Sequence, residues 1–460
     1  MSGVRSVCAT VALLAVAGRA AGQPAPLTLR QAVAIGVARY PSVSAAQADQ
    51  AAAAATIDLA RQAYRPRIDG IVQLNRATHA NVAGLLLPQS VIAPISGPVQ
   101  TDLSGGSVWG TAVGALVTWK PFDFGARRAD VVAAQREDEV MRVAVDRVTL
   151  DTAAAIADLF VSALAGRETV VAAQAAVARA GTLLQSVQAL VDAGLRPGVD
   201  AATARAEQAA AVMQVIAAQR AADASATHLA EYVGAEATAA ALPPPPLDEP
   251  AGGQHPSSPD RNPAVRERQA AVDEASTLLE IARRSADPDV AVQGTVYGRG
   301  TGVLDTTASG TGADGLGLDA ANWAVGLTVT VPMLEWANKH TREAIQAARI
   351  KAATARLDEA RLDLTRRRAI AAQEATAAVS LARQAPLLVQ AARAAEEQAA
   401  SRYRAGLSSI TDVADAERRL AQAEIDAALA DLAVWRARLA RAALGADSVE
   451  TFLRAIPGAP

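Results

Sequence analysis

The sequence predicts a mainly α chain with β-strands long enough to cross a membrane, built as two tandem structural repeats. Ala-Gly-Leu at 193–195 recurs at 405–407, 212 positions further on, and an Asp follows each of these Gly residues by six, at Asp200 and Asp412. Ahead of each Ala-Gly-Leu lie about 65 residues with helix-forming side chains. Stretches of about ten residues alternate large apolar and small side chains, as strands do. Duplication on this scale indicates two similar halves.

Residues 1–22 are expected to be a secretory signal peptide. Arg5 supplies the positive end, residues 7–17 form the apolar core, and small residues surround a cleavage site near Gly22. Cys8, the only cysteine among the 460 residues, lies inside this segment. The mature chain is therefore expected to contain no disulfide.

The composition favours helices with narrow, closely packed seams. The chain is 51% hydrophobic but only 3% aromatic, and much of the apolar share is alanine. A formal charge of −3, with acidic and basic residues interleaved, gives no support for a nucleic-acid partner. The four histidines are scattered, without metal-ligand spacing or a catalytic constellation. We therefore expect no catalytic residue, no metal site and no cofactor.

Each half opens with a helical segment bounded by prolines. Pro41 and Pro66 flank a helix of about 22 residues in the first half, because proline disfavours helix in the residue before it. Pro263 and Pro288 flank its copy, and both prolines are displaced by 222 positions. The two helices therefore begin and end in the same register.

These features divide the chain into units. The first structural repeat is expected at 23–234 and the second at 263–445. A proline-rich linker at 235–262 joins them and is expected to be semi-rigid and exposed. Residues 446–460 are expected to form a C-terminal tail.

Four strands are expected, at about 68–78 and 108–119 in the first repeat and at about 289–298 and 323–331 in the second. Large apolar side chains alternate with small or hydroxyl ones, most clearly in the last strand. Each stretch suits a tilted strand that crosses an outer membrane. An ordinary soluble sheet is the alternative. The clean alternation and the signal peptide favour the membrane barrel.

Aromatic residues near the strand ends are candidates for the membrane–water interface. Aromatic rings are enriched there because one part is apolar and another part polar. Segments rich in Gly, Ser, Thr and Pro, at 80–107 and 299–322, are expected to be surface loops. The candidate interface aromatics are Trp109, Trp119, Tyr297 and Trp323.

The longest helices are expected at about 126–192 and about 337–404, with return helices at about 200–232 and about 412–444. Some 65 helical residues reach about 100 Å, too long for a compact domain. A return helix stacked end to end on an opening helix covers a similar length, so the two tracks can pack as a coiled coil. Pro386 lies inside the second long helix and is expected to kink it.

Each turn between a long helix and its return helix has a local explanation. Gly194 and Gly406 can adopt the left-handed conformation that ends a helix. Asp200 and Asp412 are expected to cap the helices that follow. Because a Gly followed by an Asp cap is common, each turn alone indicates only a helical hairpin.

The order, spacing and duplication of these motifs resemble the TolC family of outer-membrane efflux channel proteins over essentially the whole mature chain. The resemblance implies a homotrimer, in which each chain gives four strands to a 12-stranded β-barrel and its helices to a long coiled-coil α-barrel. The strand count fits, because lipid forbids an open sheet edge. The matching motifs are Leu27-Thr-Leu-Arg-Gln-Ala, Tyr40-Pro41, Asn262-Pro263, Pro66, Pro288, Pro121-Phe-Asp-Phe-Gly125 and the two Ala-Gly-Leu turns.

The resemblance also implies a function and a place. The chain would be the outer-membrane exit duct of a tripartite efflux or type I secretion system, extending into the periplasm. Its partners would be outer-membrane lipid and a periplasmic adaptor that links it to an inner-membrane pump. The adaptor would bind the turns, at Ala193, Gly194, Leu195, Ala405, Gly406 and Leu407. The alternative is a soluble periplasmic coiled-coil adaptor or structural spacer, which needs neither barrel nor trimer.

A periplasmic gate is the last implication of the resemblance. In the family's second repeat, a tyrosine before the Gly and two aspartates one turn apart shape the closed aperture, and Tyr403, Asp412 and Asp415 match them. Three protomers would bring these carboxylates together as rings that attract cations. The alternative is that Asp412 only caps a helix and that Asp415 is only solvated.

Two positions depart from the family's gate pattern. Asp200 is also a gate candidate, but it lacks a second acid three residues further on, which favours the simpler role of a cap. The family's gate arginine, two residues after the Gly, is replaced by Ser408. The family's particular ion-pair latch therefore has no counterpart at this position.

Overall fold

A computed structural model describes residues 26–78, 107–234, 239–247, 258–301, 315–318, 320–333 and 335–456. The expected signal peptide, most of both expected surface loops and parts of the linker lie outside the described residues. The described chain is mainly helical and carries one four-stranded sheet. The predicted fold class, a mainly α chain with a small β part and two repeats, is confirmed.

Two very long helices dominate the molecule. They contain 67 and 70 residues and so reach about 100 Å. Each turns back into a helix of 36 residues. In chain order the helices are α1 (Leu29–Arg39), α2 (Pro41–Gln62), α3 (Ala126–Asp192), α4 (Gly198–Val233), α5 (Pro263–Arg284), α6 (Glu335–Arg404), α7 (Ile410–Gly445) and α8 (Val449–Ala455).

The sheet is antiparallel, with strand order β1-β2-β3-β4. Strand β2 of the first half pairs with β3 of the second, so the sheet joins the two repeats. A helix precedes β1 and β3, and a helix follows β2 and β4. Because the strands are antiparallel, all four connections to helices lie at the same end of the sheet. The strands are β1 (Arg67–Thr78), β2 (Ser107–Phe122), β3 (Asp289–Thr301) and β4 (Ala320–Thr330).

The main apolar core lies near the middle of α3. Ile156 and Phe160 of this helix are fully buried, and Leu29 and Val33 of α1 belong to the same cluster. One stretch of α3 meets the length and composition of a membrane span, the only helix among the described residues to do so. Of that stretch, 44% is buried inside the chain.

The expected C-terminal tail contributes to this core. Residues after 446 form α8, in which Phe452 is fully buried against the α3 cluster, and Ile456 follows it into the same cluster. Ser448 begins the helix by accepting a hydrogen bond from the Thr451 amide at 3.3 Å. The described part of this segment is therefore a short helix packed on the core.

The described part of the proline-rich linker lies against the helices of the second repeat. The Pro243 carbonyl accepts a hydrogen bond from the Trp435 indole at 2.8 Å. The Leu247 carbonyl accepts one from Arg383 at 2.7 Å. The linker therefore binds α6 and α7 through its own carbonyls, which a run of prolines leaves free of helical or sheet pairing.

Helix α6 continues through Pro386 without a break. Ala382 and Ala385, just before the proline, are buried. Tertiary packing against α7 therefore maintains helix on both sides of a residue that removes one backbone hydrogen bond.

Candidate functional site

The two helical turns have the same backbone conformation. Gly194 has a φ of +70° and Gly406 a φ of +77°, as predicted for the left-handed position. The amides of Leu195 and Leu407 each donate to the carbonyl five residues back, at 2.9 and 2.8 Å. These are the bonds of a Schellman motif, which favours a residue without a Cβ at the left-handed position.

A hydrogen bond joins the two turns. The Tyr403 hydroxyl, at the end of α6, donates to Asp200 Oδ2, at the start of α4, over 2.7 Å. Tyr403 is 2% exposed and Asp200 is 9% exposed. Burial, reinforced by the hydrogen bond to Asp200, raises the pKa of Tyr403 to about 12. The phenol therefore keeps its proton and remains a donor to the carboxylate.

An apolar cluster encloses this hydrogen bond. Val187 of α3 and Val413 of α7 are fully buried there, and Ala201, Ala204 and Ile410 complete the contact. Because both repeats contribute side chains, the two turns form one packed unit. We call this unit, Tyr403, Asp200 and the surrounding cluster, the turn junction.

Arg196 is part of the turn junction and was not predicted from the sequence. It lies in the first turn, two residues after Gly194, and its guanidinium carbon is 4.3 Å from the centre of the Tyr403 ring. Its Nη2 donates to the backbone carbonyl of Tyr403. Its position in the sequence could have indicated it, because Arg196 follows Gly194 by two residues, as Ser408 follows Gly406 in the second turn.

Of the two predicted capping roles, that of Asp412 is confirmed, in the form of a capping box, and that of Asp200 is wrong. The N-cap residues are Pro197 and Ser409, and each aspartate lies three residues further on. Asp412 takes part in a capping box: its Oδ2 accepts from the Ser409 amide and hydroxyl, both at 2.9 Å. These bonds, the backbone one first, lower the pKa of Asp412. Asp200 makes the bond to Tyr403 instead.

Asp415 lies on the same helix as Asp412 and is half-buried. Its Oδ1 accepts from Arg418 Nη2, and Arg418 Nε lies 3.6 Å from Glu207 of α4. The two candidate gate carboxylates therefore have separate partners within one chain, and the structure brings neither of them to the turn junction.

The candidate adaptor-binding residues lie at the exposed tip of the turns. Leu195 and Leu407 are each 70% exposed, although both are large and apolar. The remaining candidates are also exposed: Ala193, Gly194, Ala405 and Gly406. Two equivalent leucines on neighbouring turns make a small paired apolar surface.

A half-buried acidic group lies just above the turn junction. Glu417 of α7 and Glu396 of α6 line a cavity of about 460 Å³ with Arg179 of α3. Burial is the main cause that raises the pKa of Glu417 to about 7. The negative charges of Glu396 and Glu207 raise this pKa further, whereas the positive charge of Arg179 lowers it. The sequence analysis missed Glu417 because only the tertiary structure brings these four helices together. Within the described ranges, no group of three or more potential ligand residues could hold a metal ion.

At the other end of the molecule, the sheet has one continuous apolar face. Ile68 pairs with Val117 and Trp323 pairs with Val296, so all four side chains point to the same side. Val72, on the same face, is 81% exposed and Trp323 is 77% exposed. Large apolar side chains left in this state require a non-aqueous environment or another protein surface.

Two tryptophans mark the height of this apolar face. Trp109 and Trp119 lie ten residues apart on the same side of β2, a distance of about 33 Å along the strand. At the usual tilt of barrel strands this gives a height of about 25 Å, which equals the apolar band of an outer-membrane barrel. The Trp119 indole donates to the Tyr64 carbonyl at 3.1 Å, and Arg76 lies over the Trp109 ring at 5.3 Å.

Tyr297 does not belong to this face, and its expected interface role is wrong. It pairs with Asn322 and Gly114, on the side opposite to Trp323 and Val296. A Cβ on Gly114 would lie 2.4 Å from the Tyr297 Cβ, so the tyrosine packs directly over this glycine. Its neighbours there are the buried polar residues of β3, Gln293 and Thr295.

An exposed apolar sheet face of about 25 Å, joined to helices of about 100 Å, is typical of a protein that enters an outer membrane with its strands. The model of the family described as outer membrane efflux protein matches residues 37–235 and 257–446. The chain belongs to this outer membrane efflux protein family. It is an outer-membrane protein of efflux systems, and its place is the outer membrane.

Solved structures of similar fold include outer-membrane channels. The outer-membrane channel OprN has a TM-score of 0.72 at 21% identity, over 91% of this chain and 89% of its own. The Campylobacter jejuni CmeC channel has a TM-score of 0.75 at 14% identity, over 93% of this chain and 86% of its own. The open state of Neisseria gonorrhoeae MtrE has a TM-score of 0.69 at 19% identity, over 91% of this chain and 88% of its own. No curated protein matches the chain.

Proposed function

We propose that three copies of this chain close a 12-stranded β-barrel in the outer membrane and a helical tunnel below it. The single observation that carries this proposal is the four-stranded sheet, whose apolar face is exposed and whose strands β1 and β4 are both edges. In lipid, an unpaired edge leaves backbone groups without partners, so four strands cannot stand alone there. Pairing β4 of one copy with β1 of the next removes every edge.

The same proposal gives the tunnel its polar lining. The sheet face opposite to the apolar one carries Gln73, Gln293, Thr295 and Asn322. In a closed barrel this face points inward, as the polar interior of outer-membrane channels does. Solutes that cross the membrane would therefore meet amides and hydroxyls.

The helices then form an exit duct across the periplasm. The mature chain would consist of repeats 23–234 and 263–445, joined by the linker 235–262, after removal of a signal peptide at 1–22. A periplasmic adaptor would bind the exposed tip, where Leu195 and Leu407 offer apolar contacts, and would link the duct to an inner-membrane pump. This arrangement serves tripartite efflux or type I secretion.

We place the gate of the duct at the turn junction and the nearby aspartates. Tyr403 and Asp200 hold the two turns of one protomer together, and Asp412 and Asp415 would form rings of carboxylates around the opening. Support comes from the buried Tyr403–Asp200 hydrogen bond, since parting the turns breaks it and leaves both groups unpaired. Within this proposal the chain conducts solutes and catalyses no reaction.

Membrane fractionation of cells that express the full chain tests the channel. We expect the protein in the outer-membrane fraction, soluble only with detergent, and a migration in gel electrophoresis that changes on heating as trimers dissociate. A monomer in the detergent-free periplasmic extract would favour a soluble adaptor or spacer and would disprove the channel.

Crosslinking tests the adaptor contact. Leu195→Cys and Leu407→Cys place single thiols at the exposed tip without disturbing the glycines, whose positive φ disfavours any side chain. We expect crosslinks from both positions to one periplasmic partner. Leu59→Cys, on the exposed face of α2 near the sheet, is the matched control and should give no such product.

A further inference from the structure

The two turns differ in a side chain that reaches from one to the other. Arg196 follows Gly194 by two residues, and Ser408 follows Gly406 by two. Arg196 crosses to the second turn, where it lies over the Tyr403 ring and donates to the Tyr403 carbonyl. The Ser408 hydroxyl stays within its own hairpin, 3.5 Å from the Ala399 carbonyl.

We propose that Arg196 is a positioning residue of the gate, a latch that holds the first turn against the second within each protomer. The proposal rests on the proposed function as a gated duct. Arg196 makes two contacts with one residue of the other repeat, and any movement that parts the turns must break both. It therefore adds to the Tyr403–Asp200 hydrogen bond, which a separate side chain provides.

Three physical features make an arginine effective at this position. The Tyr403 carbonyl belongs to the last turn of α6, where helix carbonyls carry partial negative charge and attract a cation. The aromatic face attracts the same cation, and the planar guanidinium can stack while its edge donates. A Cβ on Gly406 would lie 3.8 Å from Arg196 Nη2, an ordinary contact distance, so the guanidinium lies directly beside the second turn.

Burial strengthens these contacts. Arg196 is half-buried, and the Tyr403 ring below it is almost fully buried. A partly dehydrated cation interacts more strongly with a ring and a carbonyl than one in open water. The energy of one such contact corresponds to a shift of about three- to tenfold in the equilibrium between closed and open turns.

Single-channel recording of the purified full chain in planar lipid bilayers tests the latch. We expect Arg196→Gln to raise the mean conductance several-fold, because glutamine keeps some length but loses the charge and the fork of donors. Arg196→Lys should give an intermediate increase, since it keeps the charge and loses the planar stacking. The matched control is Arg404→Gln, which removes an equal charge from the exposed end of α6, where Arg404 bonds Ala400 and Ser401 of its own helix.

Two further measurements separate a latch from a merely structural role. The heat stability of the trimer in Arg196→Gln should match that of Arg404→Gln, whereas a packing defect would lower it. Tyr403→Phe keeps the ring and the carbonyl that Arg196 contacts, so Arg196→Gln should raise conductance in that background as well.

The outcomes distinguish failure of the latch from failure of the channel. If the unmodified chain forms no conducting trimer, the proposed function itself is wrong. If it conducts and responds to Tyr403→Phe, while Arg196→Gln behaves like Arg404→Gln, only the latch is overturned. If Arg196→Gln does not assemble, Arg196→Lys decides: conductance above that of the unmodified channel supports the latch, and equal conductance overturns it.

Discussion

The two turns place an aspartate at equivalent positions, 212 residues apart, yet the two side chains bond in different directions. Asp412 folds back on its own helix start, where Ser409 donates both its amide and its hydroxyl. Asp200 reaches across to Tyr403 of the other repeat. The residue that begins the helix explains the difference: Pro197 has neither an amide hydrogen nor a hydroxyl, so it cannot complete a capping box.

A single missing donor thus changes what a carboxylate does. With no bond available at the helix start, Asp200 is free to accept the buried Tyr403 hydroxyl and to join the two repeats. With Ser409 at its helix start, Asp412 stays exposed and local. A duplicated plan therefore gives one aspartate that links the repeats and one that remains exposed to solvent.

Breaking the link should have the largest effect. Asp200→Ala leaves the buried Tyr403 hydroxyl without its acceptor, which costs about 1–3 kcal/mol. In the gated channel this corresponds to a shift of about five- to about 150-fold toward parted turns. We expect a large rise in single-channel conductance. Asp412→Ala is the matched control, and equal conductance of the two variants would show that the equivalent aspartates do not differ in role.

Removing the candidate carboxylate rings should have a smaller effect. Asp412→Ala combined with Asp415→Ala should raise conductance moderately and reduce the preference for cations, because the opening loses negative charge. Reversal potentials under a salt gradient measure this preference. The turn junction remains intact in this variant. Unchanged conductance and selectivity would mean that the two residues serve only the capping box and the Arg418 pair.

Giving the first turn a cap like that of the second should weaken the link slightly. Pro197→Ser supplies the amide and hydroxyl that hold Asp412 in the second turn, so Asp200 would be divided between the helix start and Tyr403. We expect a conductance rise of about two- to threefold, the size of one exposed capping bond. Pro197→Ala, which supplies the amide alone, should give a smaller rise. A conductance below that of the unmodified channel would contradict our explanation of the two aspartates.

The smallest effect concerns Glu417, whose equivalent in the first repeat is Arg205. Arg205 donates to Gln188 at 2.6 Å, whereas Glu417 faces Glu396. Burial raises the pKa of Glu417 from its ordinary 4.5 to about 7, so the folded chain holds a proton that the unfolded chain has released. The cost of ionising Glu417 is therefore absent below about pH 4.5, grows as pH rises, and is complete above about pH 7.

Thermal unfolding followed by circular dichroism tests whether ionised Glu417 destabilises the fold at high pH. Glu417→Gln should raise the melting temperature by a few degrees above about pH 7 and should leave it unchanged well below pH 4.5, where the glutamate is protonated in both states. Arg205→Gln should show no such dependence on pH. A larger gain at low pH than at high pH would contradict the burial of Glu417.

Much of the architecture could be predicted because it depends on local patterns. The left-handed glycines, the two long helices and the alternating strands all follow from backbone preference and side-chain periodicity. Strand β2 nevertheless extends through Pro121 to Phe122, beyond its expected end at 119. The ladder is irregular between Trp119 and Phe122, which accommodates a proline that cannot donate.

Other features could not be predicted because they depend on neighbours distant in sequence. Tyr297 looked like an interface aromatic, but strand register alone decides which face a side chain takes. The packing of α8 could not be predicted because the helix is short and because several segments distant in sequence form the core that contacts Phe452. The capping role of Asp200 failed for a local reason, since Pro197, the residue before its helix, cannot complete a capping box.

The sequence by itself determined the duplicated plan: where the helices and strands lie, where they turn, and that one sheet face is apolar. These depend on interactions within a few residues, which repeat whenever the pattern repeats. Only the tertiary structure decided which copy of each turn residue makes contact across the repeats, because Arg196, Asp200 and Tyr403 meet over some 200 residues of chain. Contacts of that kind depend on how two long helical hairpins pack side by side, and no local sequence pattern predicts this packing.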